Sequence, residues 1–328
     1  MDRVRLALIG AGGIVRGAHM RSLERLRDSA EVVGVYSRRL EKGKAFSAHF
    51  GIAKVYEDWR QALSDPSVDA VLVSTPNYTH YPVTVEALRA GKHVFVEKPM
   101  ALRVEEAQEM EKEAERRGLV LFVGLCLRFW PEYVRSRELI LQGSIGEPRV
   151  ARAYRLKYLP PEPQWYRWEE MSGGVAMDLM IHDLDFLRWT LGEIRRVHAL
   201  GRSQGIGGAL THVMATLEFR GGEIGYAEAS WEMPPGSPFH TYLEVAGRSG
   251  MLTVDNRSTW TIEVQGEGQR TYSPFHEDAY LKEMRAFLEG VRIGRSALDP
   301  EEGVESVRLG EAVRKSALEG KVVEVRGG

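Results

Sequence analysis

The sequence predicts an α/β protein in two parts. Residues 1–124 read as a doubly wound parallel sheet, and 125–328 as an α+β part with a large, mostly antiparallel open sheet. Three observations carry this. Continuous apolar runs (VRLALIG, EVVGVYS, VDAVLVS, KHVFVEK, LVLFVG) alternate with helically spaced segments through the first part. After Arg128 the texture changes to rough polar/apolar alternation broken by glycine-rich turns. A chain of 328 residues also exceeds the usual span of one hydrophobic core.

Strands that are apolar throughout are buried on both faces, which is the condition of parallel strands covered by helices. The segments 84–90 and 104–117 supply such helices, and right-handed crossovers then give the doubly wound topology. In the second part a helix is expected over 131–142, with a turn at 143–146. Strands are expected over 148–158, 212–219, 223–231, 241–246, 251–254 and 260–264, with a helix over 175–191. Helices over 277–291 and 300–319 follow. Within 223–231, Ile224, Tyr226, Glu228 and Ser230 fall on one side, and Gly225, Ala227, Ala229 and Trp231 on the other. Neither side is strongly charged, so a second copy of the chain could cover the outer one. The segment 204–208 reads as a plain glycine-rich turn.

Composition excludes several classes. The 44 basic and 46 acidic residues leave a net charge of −2, which argues against general binding to nucleic acid or an anionic membrane. One cysteine, Cys126, allows neither an intrachain disulfide nor a cysteine-rich zinc site and suggests a cytoplasmic protein. The start MDRVRLALIGAGG lacks the apolar core of a secretory signal, and no run of about 18 apolar residues is expected to span a membrane. The histidines show no paired ligand spacing, so no metal site is expected.

Gly10-Ala11-Gly12-Gly13-Ile14-Val15 follows the first apolar run and opens a helical stretch. Gly10 permits a tight turn, Gly12 a close approach of backbone to a pyrophosphate, and the helix start offers free N–H groups at Gly13 and Ile14. Val15 stands where a third small residue is usual. After the second strand, where NAD-binding domains place an acid, the chain has Tyr36-Ser37-Arg38-Arg39. Ser37 can donate to a 2′-phosphate and Arg38 can pair with it, which favours NADP over NAD.

Downstream stand Ser74-Thr75-Pro76-Asn77-Tyr78-Thr79-His80, then Glu97-Lys98-Pro99, then Gly173-Gly174-Val175-Ala176-Met177-Asp178-Leu179-Met180-Ile181-His182-Asp183. This ordered set resembles the Gfo/Idh/MocA oxidoreductases, the glucose–fructose oxidoreductase and inositol dehydrogenase family, from Val4 to Val325. The resemblance implies a Rossmann domain followed by a domain on a largely antiparallel sheet. It also implies NAD(P)-dependent oxidation or reduction of a sugar, cyclitol or related alcohol.

By the same resemblance Lys98, Asp178 and His182 map onto catalytic positions. Their chemistry suits hydride transfer. His182 can take a hydroxyl proton near neutral pH, Asp178 stands four residues earlier on the same helix face, and Lys98 can stabilise an alkoxide or return a proton. Which of Lys98 and His182 takes the proton stays open. The resemblance also implies that Thr75, Pro76 and Asn77 run beside the cofactor with His80 close by. Glu97 is expected near the nicotinamide ribose, and Arg128 either touches cofactor or substrate or forms a structural ion pair. Trp165, Tyr166 and Arg167, with Trp168, form an aromatic loop that could stack on a sugar ring or simply pack over the domain junction. Family members commonly assemble through the second sheet, so a homodimer or homotetramer is expected. The rival readings are a cofactor-binding regulator without turnover, which would be expected to lack the catalytic residues, and a reductase of a dihydrodiol or tetrapyrrole.

Overall fold

Six parallel strands lie in the order β3-β2-β1-β4-β5-β6 in the first sheet of the computed structural model. The structure describes residues 3–159, 162–203, 205, 207–258, 261–266, 268–273 and 278–325. The strands are β1 Val4–Ile9, β2 Ala30–Tyr36, β3 Lys54–Tyr56, β4 Ala70–Val73, β5 His93–Glu97 and β6 Leu121–Gly124. Leu6, Leu8, Val71, Val94 and Phe122 are fully buried, as strands covered on both faces require. The crossovers carry α1 Met20–Arg25, α2 Leu40–Phe50, α3 Trp59–Ser64, α4 His80–Arg89 and α5 Val104–Arg117. An Asp58–Gln61 capping box starts α3, and Gly118, with φ +62°, ends α5. The short β3, three residues long, is not anticipated by the apolar runs.

The chain forms two compact units, Met1–Cys126 with Glu277–Val304 and Leu127–His276 with Glu305–Gly328. The helix expected over 277–291 was grouped with the second part. As α9, Ala279–Ile293, it belongs to the first unit instead. There Phe287 sits edge-on to Phe95 and Phe122, at 5.6 and 6.0 Å between ring centres. An amphipathic pattern states that a helix has a buried face without naming the core that buries it.

The second unit contains α6 Pro131–Leu141, α7 Glu169–Ser172, α8 Ile181–Leu191 and part of α10 Pro300–Glu319. Its strands are β7 Pro148–Leu156, β8 Ile194–Ser203, β9 Leu210–Phe219, β10 Ile224–Ser230, β11 His240–Gly247, β12 Met251–Asp255, β13 Ile262–Gln265, β14 Gln269–Tyr272 and β15 Val323–Glu324. They form one sheet in the order β14-β13-β12-β11-β7-β10-β9-β8-β15, antiparallel except where β7 meets β10. The strands β8, β14 and β15 are absent from the sequence reading. Trp260, Gln204, Ile206, His276 and Glu277, which fall within or next to predicted elements, lie outside the described residues.

The alternation read over 223–231 matches the sheet: Gly225, Ala227 and Ala229 face inward, and Tyr226 and Glu228 are half-exposed. Ala227 pairs with Ala153 of β7 and Ala215 of β9, so the centre of the inner face carries only methyl groups. That flat patch admits the helical segment 174–191 close to β7 and β10. No described helix is long and apolar enough to cross a membrane.

Candidate active site

In the first unit, the sheet order reverses between β1 and β4, so the segments after these neighbouring strands leave on either side of a crevice at the carboxyl edge. The segment after β1 is the glycine loop. Gly10 has φ +124°, and a Cβ there would lie 2.2 Å from the Ser74 carbonyl oxygen, so only glycine lets the end of β1 approach the end of β4. Its N–H donates to Tyr36 O at 3.0 Å, tying the loop to the end of β2. Gly12 and Gly13 are exposed, and a Cβ on either would meet nothing within 4 Å. Their backbone therefore borders open space at a helix start, with Ile14 beside it 37% exposed. The helix that follows opens with a π-helical turn, Val15–His19, and Val15 is fully buried in place of a third glycine. This cradle fits the pyrophosphate of a dinucleotide.

Ser37, Arg38 and Arg39 follow β2 at the start of α2, and both guanidinium side chains are exposed. Neither Arg38 nor Arg39 forms an ion pair with a described residue.

After β4, Thr79 Oγ1 lies 2.6 Å from Thr75 Oγ1 and 2.7 Å from Pro76 O, which closes the turn around a buried Asn77. His80 is buried, and its ring spans two segments: Nδ1 is 2.7 Å from Pro99 O and Nε2 is 2.8 Å from Thr75 O. Both ring nitrogens thus face backbone carbonyl oxygens; burial pushes the ring's pKa down, and the two carbonyls oppose it, since only the doubly protonated ring can donate to both. His80 was expected near the cofactor; its geometry makes it a clamp between the two loops that follow β4 and β5.

At the end of β5, Glu97 is buried, with Oε1 2.6 Å from His19 Nε2. Its Oε2 accepts from the Lys98 N–H at 3.2 Å. Burial raises this carboxyl, but the His19 hydrogen bond, with the Lys98 side chain nearby, outweighs it and leaves the pKa lowered. Lys98 is half-buried and precedes Pro99 through a cis peptide bond. On α9, Glu283 is 1% exposed, and burial together with the Glu97 charge pushes its carboxyl well above the ordinary value.

In the second unit, the segment carrying Asp178 and His182 is almost sealed. From Ser172 to Leu187 every residue is buried except Asp178 and His182, which are half-buried. Ala176–Met180 is a π-helical turn leading into α8. A π-turn shifts side chains off the regular helical spacing and recurs at functional sites. The glycines before it are required. Gly174 has φ +67°, and a Cβ there would press on Leu210 at 3.0 Å.

Two buried ion pairs hold α8 from beneath. Arg155 Nε lies 3.0 Å from Asp183, and Arg155 Nη2 donates to Tyr133 Oη at 3.0 Å. Burial pushes the Asp183 carboxyl up to about 6 against the pull of Arg155. Arg128 donates from Nε and Nη2 to Asp185, the shorter contact being 2.7 Å. Of the two readings of Arg128, the geometry is that of the structural ion pair. Asp183 and Asp185 were passed over in the sequence. The signal was present in His182-Asp183-Leu184-Asp185, two acids on a helix whose other positions are apolar enough to be core.

The aromatic loop is a short 3-10 turn, Gln164–Arg167. Trp165 and Tyr166 stack on each other at 3.8 Å, and Tyr166 meets Trp231 edge-on at 5.6 Å. Ser172 Oγ bonds to Tyr166 O and Trp168 O, which fastens the loop to the start of the Gly173-Gly174 segment. Trp168 remains 39% exposed.

Residues 4–125 match the family model described as the oxidoreductase family with an NAD-binding Rossmann fold, and 133–253 match the GFO/IDH/MocA C-terminal domain. A myo-inositol 2-dehydrogenase of Thermotoga maritima is 30% identical, with 98% of each chain covered. A 1,5-anhydro-D-fructose reductase of Ensifer adhaerens is 33% identical over 99% of each. Among solved structures, GenD2 from gentamicin A biosynthesis, in complex with NAD, superposes with a TM-score of 0.88 at 28% identity, covering 100% of this chain and 97% of that one. The switch-point glycine cradle, the six-stranded parallel sheet and both domain matches lead to one conclusion: this chain belongs to the Gfo/Idh/MocA family of oxidoreductases, with an NAD-binding Rossmann fold.

Proposed function

We propose that this protein transfers a hydride between a nicotinamide dinucleotide and the CH–OH carbon of a sugar, a cyclitol or a related small molecule. The observation that carries the reading is the buried stretch 172–187, open only at Asp178 and His182, in a chain that aligns end to end with an inositol dehydrogenase and an anhydrofructose reductase. When bound, the nicotinamide accepts or supplies the hydride. Gly10, Gly12, Gly13 and Ile14 hold the pyrophosphate, Thr75, Pro76 and Asn77 line the next loop, and Glu97 receives the nicotinamide ribose. His182 takes the hydroxyl proton, since an imidazole nitrogen can both accept and return one. Lys98 stabilises the alkoxide, and Asp178 orients the substrate hydroxyl. Trp165, Tyr166 and Arg167 contribute the substrate wall. Arg128 and His80 serve the scaffold.

Ser37 and Arg38 select NADP. Two exposed guanidiniums with no ion-pair partner among the described residues, and no carboxylate in the segment, support an anionic 2′-phosphate at that position. The outer sheet face supports a homodimer or homotetramer, since Leu200 and Met214 are paired neighbours on β8 and β9 and both are exposed. The single cysteine supports a cytoplasmic location.

The test is a panel of inositols, aldoses, anhydro-sugars and sugar acids offered with NADP⁺ and with NAD⁺, read by the absorbance of reduced nicotinamide. Turnover with a polyol, at least about tenfold better with NADP⁺, is expected. Cofactor binding without turnover on any substrate would remove the enzymatic reading, and a tenfold preference for NAD⁺ would remove the role of Ser37 and Arg38. A monomeric mass in light scattering would contradict the assembly.

A further inference from the structure

Three buried titratable groups from three elements of the first unit converge at the end of β5. His19, at the end of the π-turn, is fully buried, with Nε2 2.6 Å from Glu97 Oε1. Its other nitrogen, Nδ1, is buried with no hydrogen-bond partner among the described residues. Glu283 comes from α9, and its Oε1 is likewise buried without one. α9 packs directly on the π-turn, and Tyr280, three residues before Glu283, meets the His19 ring edge-on at 5.9 Å. Phe95 covers the ring from a second side at 5.3 Å.

Proton counting relates the two orphan atoms. The lowered pKa of Glu97 keeps it ionised, so its oxygens only accept, and His19 Nε2 must donate. In a neutral imidazole that leaves Nδ1 as a lone pair in need of a donor. A buried carboxylic acid has one O–H to give, and a buried acceptor left bare is destabilising. We propose that Glu283 is a positioning residue: its carboxyl O–H reaches His19 Nδ1 through one bridging water and fixes the Nε2–H tautomer that orients Glu97 and, through it, the backbone of Lys98. No proton leaves the chain; the three groups carry one negative charge, on Glu97. The sequence gives no hint of this, because Glu283 lies 186 residues beyond Glu97.

The proposal rests on the reading of Glu97 and Lys98 as cofactor and substrate groups, so the test separates the two. Nitrogen-15 spectra of histidine-labelled full-length protein are recorded for wild type, Glu283→Gln and Glu283→Met. Wild type and Glu283→Gln, whose amide still donates, are expected to show His19 with a proton on Nε2 and a bare Nδ1. Glu283→Met, of similar volume and without a donor, is expected to lose the single tautomer. It is also expected to lower kcat about tenfold with little change in substrate KM, while Glu283→Gln stays within about threefold of wild type. A wild-type His19 that is protonated on Nδ1 overturns the proposal even if no variant folds. So does a Glu283→Met enzyme with wild-type kcat and tautomer. If wild type binds no nicotinamide at all, the functional reading falls, and the His19 spectrum still decides the role of Glu283.

Discussion

Two glycines two residues apart give opposite expectations for the same substitution. In Gly10→Ala the new methyl lands 2.2 Å from Ser74 O and 2.8 Å from its carbonyl carbon, both backbone atoms, at φ +124°. A non-glycine residue in that region costs about 1–3 kcal/mol, and the forced backbone shift a further 1–3 kcal/mol. At about 2–4 °C per kcal/mol for a domain of this size, melting falls by about 4 °C or more. In Gly12→Ala the methyl meets nothing within 4 Å, and φ lies outside the left-handed region, so stability stays within about 0.5 kcal/mol or rises slightly. That methyl projects into the proposed pyrophosphate cradle, and a tenfold or greater rise in cofactor Kd, about 1.4 kcal/mol, is expected. Calorimetry gives the melting temperatures, and quenching of intrinsic fluorescence on titration with NADPH and NADH gives Kd. Gly12→Ala protein that binds both dinucleotides as wild type does would refute the cradle.

Arg128→Met takes the two-pronged guanidinium away from the buried Asp185 carboxylate, so a loss of about 3–5 kcal/mol is expected in urea denaturation, largely restored in Arg128→Met/Asp185→Leu. A single variant within about 1 kcal/mol of wild type would sink the structural assignment. Asp183 has its carboxyl raised to about 6 in the fold against about 3.9 unfolded, so the native state holds a proton that the unfolded chain releases first. Its contribution to stability is therefore full below about pH 4 and lost as pH rises through 6. Relative to Asp183→Asn, wild-type stability falls on the order of 2–3 kcal/mol across that window, and parallel pH curves for the two proteins would contradict this. Lys98→Ala and His182→Ala are each expected to lower kcat by about a hundredfold or more while cofactor Kd stays within severalfold, and wild-type turnover in both would dismiss their roles.

The parallel sheet was legible because its strands carry unbroken apolar runs, Ala70–Val73 being the plainest, and β10 because its small residues alternate with larger ones. β8 escaped for a physical reason. A register shift between Ile194 and Arg196 places its buried residues at Ile194, Val197 and Ala199, a spacing of three and then two, which matches no strand pattern. β14 has no buried residue, and a strand that buries nothing leaves no hydrophobic signal. The π-turns at Val15–His19, packed on α9, and Ala176–Met180, packed on β7 and β10, are equally silent, since no residue pattern sets a π-turn apart from an α-helical one. At the candidate site the motif residues Lys98, Asp178 and His182 could be named from order and chemistry. What could not be read was direction: His80 turns to two carbonyls and Arg128 to Asp185. Asp183 and Glu283 went unnoticed because an acid is ordinarily a surface residue, and only the fold reveals that these two are buried.

The central claim is that a hydride passes between the substrate carbinol carbon and the bound nicotinamide. Deuterium placed on that carbon of an inositol or sugar that the panel shows to be turned over traces the step directly. The account predicts that the label appears at C4 of the reduced nicotinamide, one deuterium per turnover, and that its appearance slows in both Lys98→Ala and His182→Ala. Reduced cofactor that carries no deuterium, or label transfer undiminished in both variants, would contradict it.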